Sequence, residues 1–157
     1  MAHSLAGLRF TELVLQLLGM HGDLVAAADT LVADLGLTSA RWQVLSRLRE
    51  EPSTVSRVAR RMGLSRQGVQ KLADRLVADG FVEVRPNPDH KRSPLLRLTP
   101  RGQRTLDEAR RRQEAWADRV GRDLAADDMA AACRALGNVS DLLALDRASH
   151  HLSLIHI

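Results

Sequence analysis

Two short apolar stretches with helical spacing, separated only by Gly63-Leu64-Ser65, constrain this chain more than any other feature. Val55, Val58, Ala59 and Met62 fall on one face of a helix that Thr54 caps. Val69, Leu72, Ala73, Leu76 and Val77 fall on one face of a second, capped by Ser65. Gly63 ends the first and Gly80 the second, each where a left-handed residue closes a helix. Two amphipathic helices joined by so tight a turn predict a helix-turn-helix whose second helix enters a groove of its target. After Gly80 the period changes. Phe81–Arg85 and Leu95–Thr99 read as strands around the turn-rich stretch Pro86–Pro94, a hairpin with a long tip. With Arg85 at its base and Lys91 and Arg92 at its tip, the hairpin forms a cationic wing.

Longer helices flank this unit. About Leu5 to Leu35, the residues Phe10, Leu17, Leu24 and Leu31 recur every seventh position, with Val14, Ala28 and Leu35 beside them, until Gly36 breaks the pattern. Thr38 caps a helix carrying Trp42, Val44, Leu45 and Leu48, which stops at Glu50-Glu51-Pro52. Thr99-Pro100 is a strong start signal for a fifth helix with Leu106, Ala109, Gln113, Trp116 and Val120 on one face. Asp127-Asp128 opens a sixth, with Met129, Ala132, Leu136, Val139 and Leu143 on the same rhythm. Seams at both chain ends exceed what a small core needs, so Phe10, Leu17, Leu24, Trp116, Val120, Leu136, Val139 and Leu143 are candidates for a homodimer interface.

The fold class expected is mainly α with a small β-hairpin wing: a winged helix-turn-helix with N- and C-terminal dimerisation helices. Its parts are a dimerisation helix over 1–36, the winged lobe over 37–102, dimerisation helices over 103–149 and a tail over 150–157, all in one compact domain of 157 residues. Aromatics are only 3% with no Tyr, which favours an aliphatic helical core over a β-sandwich. The stretch 152–157 follows no earlier pattern and back-translates to a transposon end used in sequencing libraries. It is expected to be read-through, with the natural C-terminus elsewhere. No run approaches the roughly 20 apolar residues of a membrane span, and no signal-peptide pattern opens the chain. A cytoplasmic, nucleoid-associated protein without membrane partners is expected. The single cysteine, Cys133, fits a reducing compartment.

Charge is unevenly spread. Thr38–Arg112 holds 18 Lys and Arg against 8 Asp and Glu, a local net of +10, while the remainder carries −6. A concentrated basic footprint with acidic flanks suits a polyanion, here double-stranded DNA. On the fourth helix Arg66, Gln67, Gln70 and Lys71 would meet base edges, with Ser65 near a phosphate. Arg57, Arg60, Arg61 and Arg41 would hold phosphates, and Lys91 and Arg92 could enter the minor groove. Enzymatic readings lack support: the sequence has no glycine-rich phosphate loop, no His/Cys cluster at metal spacing and no nucleophile beside a base, so no catalytic residue, metal or cofactor is expected. His150-His151 reads as an exposed pair.

Taken in order, Leu37-Thr38, Trp42, Val44-Leu45, Val58-Ala59, Gly63-Leu64-Ser65, Leu72, Leu76, Gly80-Phe81-Val82, Asn87-Pro88, Lys91-Arg92, Leu98-Thr99 and Gly102 resemble the MarR (multiple antibiotic resistance regulator) family over Leu37–Gly102. The resemblance implies a transcription regulator on a pseudo-palindromic operator, a repressor released by a small aromatic or apolar anionic effector. Near such an effector it would place His21, Trp42 and Arg41. The family usually has Asp two positions before the wing arginine; here that position is His90, with Asp89 one residue earlier. Either Asp89 substitutes, or His90 makes the wing mildly pH-sensitive. The competing reading from another class is a winged-helix module for protein interaction or non-specific DNA organisation.

Overall fold

A computed structural model describes residues 4–153, with side chains of the last helix as far as Asp146. Leu154–Ile157 of the suspected tail, and the side chains of His150 and His151, lie outside the described residues. Helix α1 (Leu5–Val32) starts where Ser4 Oγ accepts the Gly7 N–H at 3.1 Å, and it tightens into a 3-10 turn over Ala33–Leu35. Gly36, at φ 73°, reverses the chain into α2 (Ser39–Arg47), which Thr38 caps. The Ser39 N–H donates to the Asp29 carboxylate at 2.5 Å, joining the start of α2 to α1 and holding that carboxyl below its usual range.

Next come β1 (Ser53–Thr54), α3 (Val55–Met62), α4 (Arg66–Ala78), β2 (Val82–Arg85) and β3 (Leu95–Leu98). The strands form one antiparallel sheet in the order β1-β3-β2, with both Ser53 and Val84 opposite Leu96. The sequence predicts only the hairpin; β1 is an addition that covers the second edge of β3. Val32, Val44, Leu45, Val58, Val69 and Leu76 lie wholly inside. Trp42 and Phe81 are the aromatics among an otherwise aliphatic set of buried residues.

Helix α5 (Pro100–Gly121) is seated by its first turn. Thr99 Oγ1 accepts the Gly102 N–H at 3.0 Å and donates to the Gly80 carbonyl at 2.7 Å. A Cβ on Gly102 would stand 2.0 Å from the Phe81 carbonyl oxygen, so only glycine lets this turn approach the wing root. Further along, Arg112 donates to Asp34 at 2.5 Å, to the Leu31 carbonyl at 3.2 Å and to Glu108 at 2.9 Å. These bonds link α5 to the end of α1. Arg112 holds Asp34, and Arg111 with Arg112 holds Glu108, below the usual carboxylate range.

The chain divides into two compact units, Met1–Glu114 and Ala115–Ile157, where length alone led to the expectation of one. The second comprises the end of α5 and helix α6 (Ala126–Ser153). Within it no described side chain is fully buried, which is why it does not close a core of its own. Among the described residues no helix is long and apolar enough to cross a membrane.

Candidate nucleic-acid interface

The turn between α3 and α4 is set by Gly63, at φ 66°, whose N–H reaches the Ala59 and Arg60 carbonyls. Ser65 Oγ then accepts the Gly68 N–H at 3.0 Å and starts α4. Val69, Ala73 and Leu76 face the core; Gln67 and Lys71 stand exposed on the opposite side of α4, and Arg66 and Gln70 are exposed at the edge that borders the wing. Ser65 still has a hydroxyl hydrogen to donate, and the α4 N-terminus offers its free amides to an anion.

Wing and α4 share one face of the lobe. Arg66, Gln70 and Asp74, one helical turn apart, line a cleft of about 70 Å³ together with Ser93, Pro94, Val84 and Ser56. The wing tip is built on Asn87. Its Nδ2 donates to the Ser93 carbonyl at 2.8 Å, its Oδ1 accepts the Asp89 N–H at 3.1 Å, and its carbonyl accepts the His90 N–H at 3.3 Å. Asp89 makes no ion pair with Arg92 among the described residues, so it does not replace the missing wing aspartate. At the wing base, Arg85 grips Glu83 through Nε and Nη2 at 2.9 and 3.0 Å.

Ion pairing differs among the cations, and Arg47, Arg49, Arg97, Arg101 and Arg104 carry none among the described residues. Arg110, Arg111 and Arg112 of α5 are all paired with nearby carboxylates. Among the described residues Arg60, Arg61, Arg66, Lys71, Lys91 and Arg92 carry no ion pair and are exposed. Arg57 is exposed too, against Glu51 at 2.5 Å. Arg41 departs from the expectation. Its side chain is only 12% exposed, its guanidinium pairs with Asp79 at the end of α4, and it lies 5.9 Å from the Phe81 ring centre. It fastens α2 to α4 and does not reach outward to a phosphate.

The residues expected near an effector do not gather. Trp42 is 9% exposed and forms part of the core, yet its edge lines two shallow clefts. One, of about 240 Å³, adds Ser46, Arg49, Leu106 and Arg110; the other, of about 270 Å³, adds Ala28, Ser39 and Gln43. Neither His21, exposed on α1, nor Arg41 lines either cleft. Among the described residues no three His, Cys, Asp or Glu are grouped to hold a metal.

The seam residues stay open. On α1, Phe10 and Leu24 are exposed and Leu17 half-buried; in the second unit Val120, Leu136 and Leu143 are exposed, and Trp116 and Val139 half-buried. Sequence reasoning missed Asp74, whose carboxylate accepts from Gln70 at 2.7 Å, and Asn87, which scaffolds the wing. The four-residue step from Gln70 to Asp74 was a usable signal for the first.

A three-stranded sheet with a cationic hairpin, packed behind a helix-turn-helix, defines a winged-helix protein. Residues 35–93 match the sequence model described as MarR family. An uncharacterized protein of Mycobacterium tuberculosis is 49% identical over 90 residues, 57% of this chain and 59% of that protein, so the match spans little over half of the curated relative. A MarR family transcriptional regulator from Rhodococcus sp. RHA1 superposes with a TM-score of 0.74 at 22% identity, covering 88% of this chain and 97% of that one. Staphylococcus aureus MarR, in complex with salicylate and kanamycin, gives a TM-score of 0.77 at 14% identity, covering 87% and 93%. The likeness to the MarR family in sequence thus covers residues 35–93, and over the rest of the chain it is a likeness of fold.

Proposed function

We propose that this chain is a sequence-specific transcription regulator that binds a pseudo-palindromic duplex as a homodimer in the cytoplasm, on the nucleoid. The observation that carries the reading is the set of exposed cations without an ion pair on α3, α4 and the wing, with Gln67 and Gln70 exposed among them. Unpaired cations release counterions from phosphates, and exposed Gln and Arg on a helix read base edges. Arg57, Arg60 and Arg61 hold phosphates; Ser65, Arg66, Gln67, Gln70 and Lys71 enter the major groove; Arg85, Lys91 and Arg92 follow the backbone or the minor groove. Two-fold symmetry comes from the seams of α1, α5 and α6.

The regulator acts as a repressor that a small aromatic or apolar anion releases. Salicylate accompanies the Staphylococcus aureus protein. In this chain the candidate place for such an anion is the cleft of about 240 Å³ beside Trp42, where Arg49 supplies positive charge, Arg110 is engaged by Glu114 and Glu50 lies on the same wall. Selection of bound duplexes from a random pool tests the main claim. The expected product is a palindrome with half-site centres about 10 base pairs apart or a multiple of that. Binding with no enriched sequence would instead support a non-specific DNA-organising module, and no binding a protein-interaction module.

A further inference from the structure

We propose that Asp74 is a specificity-determining positioning residue: it holds the Gln70 amide in one orientation toward the DNA and weakens binding to every sequence while doing so. The inference rests on the reading of α4 as the recognition helix. Asp74 stands one turn beyond Gln70, about 6 Å along α4. Its Oδ1 accepts from Gln70 Nε2 at 2.7 Å, at the short end of the N–H···O range. Both residues line the cleft between α4 and the wing, with Arg66 one turn before them.

The carboxylate has no other use in the fold. Among the described residues no cation pairs with it; the next aspartate on α4, Asp79, is by contrast fastened to Arg41 and Arg75. An anion without a counter-charge on a surface that faces phosphates repels the ligand. What it supplies is order. A free glutamine has several rotamers and an amide that can turn either edge outward, so it must be immobilised when it binds a base. With one amide hydrogen fixed on Asp74, Oε1 and the second amide hydrogen remain for the target. That pair matches the N6 donor and N7 acceptor of adenine.

The test uses the full chain and the duplex obtained by selection, with each base pair of a half-site replaced in turn. Wild type, Asp74→Asn, Asp74→Ala, Gln70→Ala and the double variant Gln70→Ala/Asp74→Ala are titrated on every duplex. Asn keeps an acceptor and removes the charge, so D74N should bind all duplexes more tightly by a common factor and keep the wild-type discrimination. D74A should also gain on substituted duplexes. It should, however, lose roughly tenfold discrimination, about 1.4 kcal/mol, at the same base pair where Q70A loses it, and the double variant should lose no more than Q70A. The proposal is overturned if D74A keeps full discrimination there, or if D74N loses it. A wild-type chain that selects no sequence overturns this proposal together with the regulator reading, whereas a clear wild-type preference unaffected by D74A overturns this one alone.

Discussion

Arg92 and Gln70 are both exposed on the candidate DNA face, and they should contribute differently because only one is charged. Arg92→Ala should weaken binding to operator and scrambled DNA alike, and reduce the log-log salt slope by about 0.9, the share of one neutralised phosphate. Gln70→Ala should leave the slope unchanged and relax preference at one symmetry-related base pair in each half-site. Salt titrations on both duplexes read the two effects; a changed slope with intact specificity in Q70A would move α4 out of the major groove. Arg41 gives the opposite test. Held by Asp79 and covered at 12% side-chain exposure, it should act on stability. Arg41→Met, which keeps the aliphatic stem, should cost about 1–3 kcal/mol in urea unfolding and leave the salt slope alone. A drop of one phosphate in the slope would restore Arg41 to the DNA contacts.

At the level of elements, the seat of α5 on the wing root is the least forgiving contact in the lobe. Gly102→Ala would force a methyl group to 2.0 Å from the Phe81 carbonyl oxygen, and neither partner is a flexible side-chain end. A loss of about 3 kcal/mol or more is expected by thermal melting, larger than for a Gly→Ala change in an open helix; an unchanged melting temperature would refute the close approach. The helices were legible in the sequence because caps, glycines at φ 66° and 75°, and one-face periodicity all agree at their ends. Thr38, Thr54, Ser65 and Thr99 each cap where expected. Strand β1 was not legible, since two residues carry no alternation and Thr54 already served as a cap. The position of Arg41 on a basic stretch suggested DNA; its partner, Asp79, lies 38 residues away and no local pattern names it. The effector site is hardest to read, because likeness alone points to His21, Trp42 and Arg41, and of these Trp42 borders the two clefts on α2 while His21 and Arg41 line neither.

For the whole molecule, the open seams of α1 and α6 carry the dimer prediction. Leu17→Glu or Leu136→Glu should give monomers or insoluble protein, and a stable folded wild-type monomer at micromolar concentration in sedimentation would refute it. The Arg112 link should make stability pH-dependent. Asp34 and Glu108 have lower pKa values folded than unfolded, so the stability of their link is present above the usual carboxylate range and lost as the pH falls through the depressed folded values. Wild type should therefore melt above Arg112→Met near neutrality, with the gap narrowing as the pH drops below about 4; a constant gap would show that the link does not depend on those carboxylates. The joint at Thr99 has a further consequence. One residue separates β3 from α5, and its hydroxyl is tied to Gly80 on one side and Gly102 on the other. Such a joint leaves little slack between the wing root and the first turn of α5. Inserting one residue before Pro100 would rephase the whole helix by about 100°. Length at this point is thus a coded quantity.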